Sequence, residues 1–212
     1  MKNMNYLILM ALLFFSCKKE NSKHWTEVNI KANNYLTGEP ITDVACGVFY
    51  SKAGFFLNVE TIALHEGFTE NGQYSFGFKA KKNGFYQAEA AFEYGKYYVI
   101  NFSNYLYLDY GEVNNFQFDL VTYGYLNFDI KNTNCFDSSD QILVKRSSEI
   151  GYNGYSDVII DGCYEDSSAI FGKVPIGKWF IEWDVTKNSI TNTFYDTIVL
   201  SQDEHRIYEL DY

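Results

Sequence analysis

The heptapeptide TEVNIKA, residues 26–32, alternates strictly, with Val28, Ile30 and Ala32 on one face and Glu27, Asn29 and Lys31 on the other. Side chains of an extended chain point to opposite sides in turn, so this pattern reads as a strand with one buried face. The same period recurs outward along the chain. YSFGFKA (74–80) sets Tyr74, Phe76 and Phe78 together, and FQFDL (116–120) does so with Phe116, Phe118 and Leu120. In the second half, YLNFDIK (125–131) aligns Leu126, Phe128 and Ile130, and WFIEWDV (179–185) aligns Trp179, Ile181, Trp183 and Val185. RIYELDY (206–212) aligns Tyr208, Leu210 and Tyr212, so the sequence ends within a strand. Turn chemistry separates these runs at Thr37-Gly38-Glu39-Pro40, Asn71-Gly72, Asn83-Gly84, Asn153-Gly154 and Asp161-Gly162. No segment beyond the N-terminal apolar run keeps a helical period, and the fold class expected is all-β, with tandem β-sandwich domains.

The change from one sandwich to the next is expected near FQFDLVTYGYLNFDI (116–130), where Gly124 is the sole breaker, giving domains over 25–121 and 122–212 joined without a linker. A single larger sandwich is the alternative. The 212 residues carry 27 acidic against 17 basic side chains, a formal charge of −10. Such a surface repels phosphate backbones, so nucleic acid is not an expected partner. Aromatic residues make up 19% of the chain, with 19 Tyr and 18 Phe. They suit a β-rich core, and equally an exposed stacking surface for sugars or peptides.

The first residues address compartment. Lys2 precedes an apolar run from Tyr6 to Phe15, within the roughly 7–15 residues of a signal h-region and short of the ~20 that span a bilayer. Ser16 and Cys17 follow, then the polar segment Lys18-Lys19-Glu20-Asn21-Ser22. This resembles a bacterial lipobox, in which a small residue precedes a cysteine that is lipidated and becomes the first residue of the mature chain. The resemblance implies a signal peptide over 1–16, an acyl acceptor at Cys17 and a tether over 17–24. In the competing reading, a plain secretory signal, Cys17 is incidental; Phe14 is too bulky for an A-x-A cleavage site. Two acyl chains, at about 0.8 kcal/mol per buried methylene, suffice for stable anchoring. The partner expected on this reading is the lipid bilayer.

Chemistry-bearing motifs are sparse. HEGFT (65–69) begins like H-E-x-x-H, but Thr69 stands where the second histidine is needed. His65 reads as a loop residue, with His24 next to the tether and His205 near the end of the chain. Neither G-x-S-x-G nor a phosphate-binding G-x-x-x-x-G-K-[ST] loop occurs. NTNCFDSSDQ (132–141) gathers Asn132, Asn134, Asp137 and Asp140, oxygen donors of the type calcium uses and also ordinary turn material. Cys46, Cys135 and Cys163 lack the spacing of a zinc site. Cys135 and Cys163 either bridge neighbouring strands or loops, or remain small buried thiols. No catalytic residue, metal or cofactor is expected.

VNIKANNYLTGEPITDVACGVFY (28–50) followed by TENGQYSFGF (69–78) resembles the carboxypeptidase regulatory-like, or transthyretin-like, β-sandwich family over about residues 25–121. The resemblance implies a structural or binding unit without catalysis. GKVPIGKWFIEWDV (172–185), with its Pro-x-Gly turn before a strand, resembles a late strand of an immunoglobulin-like sandwich. Two such domains behind a lipid anchor resemble Bacteroidetes-type envelope lipoproteins, located at the outer membrane on its periplasmic side or at the cell surface. That resemblance also implies O-glycosylation at Thr197, within Asp196-Thr197-Ile198. The function expected is a non-enzymatic, membrane-anchored structural or binding module. The alternative is a glycan-binding accessory lipoprotein that stacks sugars on Tyr105, Tyr107, Tyr152 and Tyr155. Its partner is then a glycan, or another envelope protein.

Overall fold

The computed structural model describes residues 23–53, 59–82, 84–91, 95–100, 106–152, 154, 156–166 and 172–212. Every regular element among them is a β-strand, so the chain is all-β. The first eight are β1 (Lys23–Asn34), β2 (Ala45–Ala53), β3 (Val59–Phe68), β4 (Gln73–Lys81), β5 (Phe85–Ala90), β6 (Tyr98–Val99), β7 (Leu106–Tyr107) and β8 (Val113–Val121). They form two sheets of order β4-β1-β8-β6 and β3-β2-β5-β7. The TEVNIKA stretch lies in β1, and its inward residues Val28, Ile30 and Ala32 are buried against Cys46, Val48 and Ala88 of the facing sheet. At about 1.5–3 kcal/mol for each large aliphatic side chain, this face holds the two layers together.

The remaining strands are β9 (Tyr123–Lys131), β10 (Gln141–Ser148), β11 (Val158–Asp161), β12 (Glu165–Asp166), β13 (Gly172–Pro175), β14 (Gly177–Lys187), β15 (Ile190–Leu200) and β16 (His205–Asp211). One sheet has β9 at its centre, paired with β12, β13 and β16; the other runs β11-β10-β14-β15. Leu126, Ile130, Val174 and Leu210 from the first meet Ile142, Val144, Trp179, Ile181 and Leu200 from the second in a separate core.

The two halves share one wiring. In each, the opening strand lies between an antiparallel neighbour and the closing strand, which runs parallel to it: β8 beside β1, and β16 beside β9. In each, the second strand pairs antiparallel with the third and with a later one, β3 and β5 for β2, β11 and β14 for β10. The parallel pairs join residues more than seventy positions apart, as Glu27 with Val113 and His205 with Tyr125.

Two glycines sit where the backbone admits little else. Gly72 (φ 72°) closes the turn from Glu70 to Gln73, and a Cβ there would lie 2.5 Å from the Pro40 ring and 2.9 Å from the Ala32 carbonyl. The Thr37–Pro40 turn and the Asn71-Gly72 turn are therefore packed against each other. Gly177 (φ 113°) carries the chain from β13 in one sheet to β14 in the other, with the Glu149 carboxylate where a Cβ would go. Left-handed backbone of this kind favours glycine.

His65, read from the sequence as a loop residue, lies in β3. Its ring stacks on Phe76 (centroids 4.3 Å apart) and its Nδ1 lies 2.5 Å from the Tyr74 hydroxyl. Two flanking aromatics hold the histidine flat against the sheet edge. Thr69, the residue at the second histidine position of the zinc motif, is buried; its hydroxyl donates to the Ile41 carbonyl and accepts from the Val44 N–H.

Candidate functional site

Cys17, Tyr105 and Tyr155 lie outside the described residues. The first described strand begins at Lys23, so His24 at the end of the 17–24 segment is already part of a sheet, paired with Ala80 and edge-on to Tyr110.

Cys135 and Cys163 are brought together, with Cα atoms 5.3 Å apart and the sulfurs bonded. The bond ties the 132–140 loop to the turn after β11. Within that loop several oxygen donors are engaged by protein groups, while Asp140 Oδ1 is buried with no hydrogen-bond partner. Asp137 accepts from the Ser139 N–H and hydroxyl. Asp140 is buried, and its Oδ2 accepts from the Asn132 amide (3.0 Å) and the Phe136 N–H (2.8 Å). The Lys187 ammonium lies among the same groups, 3.1 Å from Asn132 Oδ1, 2.6 Å from the Asn134 carbonyl and 4.0 Å from Asp140 Oδ2. A lysine thus occupies the position a cation would take. The Asn132 amide, the Phe136 N–H and the Lys187 charge hold the Asp140 carboxyl below the usual carboxylate range. Among the described residues, no three His, Cys, Asp and Glu side chains converge as metal ligands.

Of the four candidate stacking tyrosines, Tyr107 and Tyr152 lie among the described residues. Tyr107 is 62% exposed at the edge strand β7. Tyr152 is half-buried, edge-on to Trp179 and Tyr98 at 5.9 and 5.2 Å, which makes it a packing residue between the two halves. Another aromatic pair lies on the outer face of the β10-β14-β15 layer. Trp179, Ile181 and Val185 of β14 are buried, so Phe180 points outward and is 44% exposed. Register sets Phe180 opposite Thr197 and Glu182 opposite Tyr195, which is 73% exposed. Phe180 was implied by the alternation of WFIEWDV; Tyr195 was not, because β15 is exposed at every position from Ile190 to Thr197.

A groove of about 230 Å3 runs between these rings and is lined by Lys145, Ser147, Glu182 and Thr197 among others. Lys145 is held 2.7 Å from Glu182 and 3.3 Å from Asp184, and Asp184 also accepts from the Thr193 hydroxyl. The hydrogen bond to Glu182, then that to Asp184, raises the Lys145 pKa; the Thr193 bond and then Lys145 lower that of Asp184. Thr197 is exposed in the same groove. The Asp196 carboxylate before it accepts from the Tyr208 hydroxyl (2.6 Å) and the Thr197 N–H (2.7 Å), which hold it ionised.

The junction of the halves is the other built feature. Only Thr122 separates β8 from β9. Across it, Tyr123 Oη donates to the Tyr97 carbonyl at 3.2 Å, and the Ile176 N–H donates to the Thr122 carbonyl at 3.1 Å. The Lys173 ammonium donates to the Gly95 carbonyl while lying over the Tyr123 ring.

A scan against known protein families finds no match, and the curated proteins give none. Among solved structures, the Bacillus anthracis TIE protein is 12% identical over 89% of this chain and 34% of its own, with a TM-score of 0.29. A streptococcal ancillary pilin is 11% identical, over 88% of this chain and 62% of its own, at a TM-score of 0.34. GBS52, the minor pilin of Streptococcus agalactiae, is 8% identical over 89% and 94%, at 0.32. The chain thus spans about a third of the first of these and less than two thirds of the second. At such identities and scores, function rests on this chain's own residues.

Proposed function

We propose that this chain is a non-enzymatic, membrane-anchored module of a bacterial cell envelope, held by acyl chains on Cys17 and built as two domains, residues 25–121 and 122–212. The observation that carries the reading is the linkerless junction. One residue joins two separate cores; Tyr123 and Lys173 of the second half reach backbone carbonyls of the first, and Tyr98 packs edge-on to Tyr152 across it. A stiff two-domain rod behind a short tether suits a spacer or a presenting scaffold. Carboxylates that lie close together are neutralised by lysines, Lys145 between Glu182 and Asp184 and Lys187 at Asp140, an arrangement that favours support over acid–base chemistry. The location that goes with an acylated Cys17 is the outer membrane, with Thr197 as an accessible O-glycosylation position.

Stiffness across the junction is measured with spin labels at Ser75→Cys and Asn192→Cys, both exposed and on opposite halves. The buried Cys46 and the bonded Cys135 and Cys163 do not take the label. The expected result is one narrow distance distribution that broadens in Lys173→Ala; a broad distribution in the parent chain rejects the rod.

Glycan binding is the second reading. The exposed ring pair Phe180 and Tyr195 favours it.

A further inference from the structure

We propose that the outer face of β10, β14 and β15 binds a neutral oligosaccharide, with Tyr195 and Phe180 as the stacking platform and Glu182, Ser147 and Thr197 as partners for sugar hydroxyls. The proposal rests on the glycan-binding reading and moves its site away from Tyr105, Tyr107, Tyr152 and Tyr155.

The two rings stand on the same face of the sheet because Phe180 opposes Thr197 and Glu182 opposes Tyr195. They are diagonal neighbours, a spacing of roughly 7–8 Å that aromatic side chains bridge. Both rings are attached to strands whose backbones pair in an unbroken register of eleven residues, so the platform is formed before a ligand arrives. A sugar ring presents C–H groups on its flat face and hydroxyls around its rim. The groove matches that division, with aromatic walls and a floor carrying carboxylate, hydroxyl and ammonium groups.

Charge selects the kind of sugar. The cations on this face are already paired, Lys145 with Glu182 and Asp184, and Lys178 with Glu149 at 3.9 Å. A uronate or sulfated sugar would meet carboxylates whose countercharge is in place, whereas neutral hydroxyls donate to those same carboxylates. Area argues against a protein partner. A stable protein interface takes ~800 Å2 per partner, whereas the large exposed apolar side chains of β14 and β15 on this face are Phe180, Tyr195 and Val199, and the polar network of Lys145, Glu182 and Asp184 separates them from Ile159 of β11.

The test uses the full chain, made without glycosylation and held in a detergent that has no sugar headgroup. Oligosaccharides of glucose, mannose, galactose and N-acetylglucosamine, with oligogalacturonate as the charged probe, are titrated calorimetrically. At least one neutral oligosaccharide is expected to bind, and Tyr195→Ala and Phe180→Ala each weaken it about tenfold or more. Tyr107→Ala leaves it unchanged, and melting temperatures stay close to the parent because both rings are exposed. Binding that survives Tyr195→Ala and Phe180→Ala but is lost in Tyr107→Ala overturns this site while sparing the glycan reading. A panel with no neutral binder, or one in which only oligogalacturonate binds, overturns the proposal, as does a dimer that Tyr195→Ala dissolves.

Discussion

Burial decides the chemistry of Cys46. Its thiol sits inside the first core between the sheets, and loss of solvent pushes its pKa up to about 12. Because the thiolate is the reactive form, Cys46 is expected to resist iodoacetamide at pH 8 in the native protein and to react once urea unfolds it. Mass spectrometry before and after unfolding reads this directly. Ile30, 1% exposed in the same core, supplies a packing test. Ile30→Ala is expected to cost about 2–5 kcal/mol in urea denaturation, from lost transfer energy and the cavity left behind. Asp140 gives a pH signature. Its folded pKa is depressed, so the stability that it contributes is full above its ordinary value near ~4 and is lost as pH falls through the lowered one. Asp184, Asp196 and Glu204 shift in the same direction. Asp140→Asn should therefore lower the urea midpoint at pH 7 and flatten its decline between pH 5 and pH 3.

At the scale of elements, both halves lock the same corner with different residues. Where the chain leaves β4 for β5, the Tyr86 hydroxyl accepts from the Lys81 N–H at 2.8 Å; where it leaves β13 for β14, the Trp179 indole N–H donates to the Pro175 carbonyl at 3.0 Å. Each aromatic thus ties the start of a strand to the end of the strand before it. The disulfide is an element-scale lock of another kind. It closes a loop of 28 residues, and its reduction is expected to cost about 2–4 kcal/mol. The loss is read by urea denaturation with and without dithiothreitol, using the fluorescence of Trp179 and Trp183, both in the affected half. Much of this was legible in the sequence. Period-two alternation places Val28, Ile30, Leu126, Trp179 and Ile181 on buried faces because the chain geometry alone dictates it. The parallel partners β1 with β8 and β9 with β16 were not legible, since no local pattern encodes a pairing across more than seventy residues. The shared wiring was hidden too, because Tyr86 and Trp179 do one job with unlike side chains. The ring platform was half legible: Phe180 follows from its buried neighbours, whereas Tyr195 needs the register of β14 on β15.

For the whole molecule, the proposed function rests on attachment at one end and stiffness at the junction. Between Cys17 and the first strand residue Lys23 lie five residues, Lys18 to Ser22. Fully extended they reach about 17 Å. A chain acylated at Cys17 would therefore hold its first sandwich close to the bilayer, with the junction at Thr122 passing that orientation to the second. The acidic composition adds no attraction to anionic lipid heads, so in the proposed arrangement acyl chains alone would supply the hold. Cys17→Ser is accordingly expected to move the protein from the membrane to the soluble fraction while leaving its melting temperature unchanged. The most direct test of the account is the intact mass of the mature protein extracted from membranes of the cells that make it. The account predicts a chain that begins at Cys17 and carries the added mass of its acyl groups; a mature N-terminus at another residue, with no lipid attached, would contradict it.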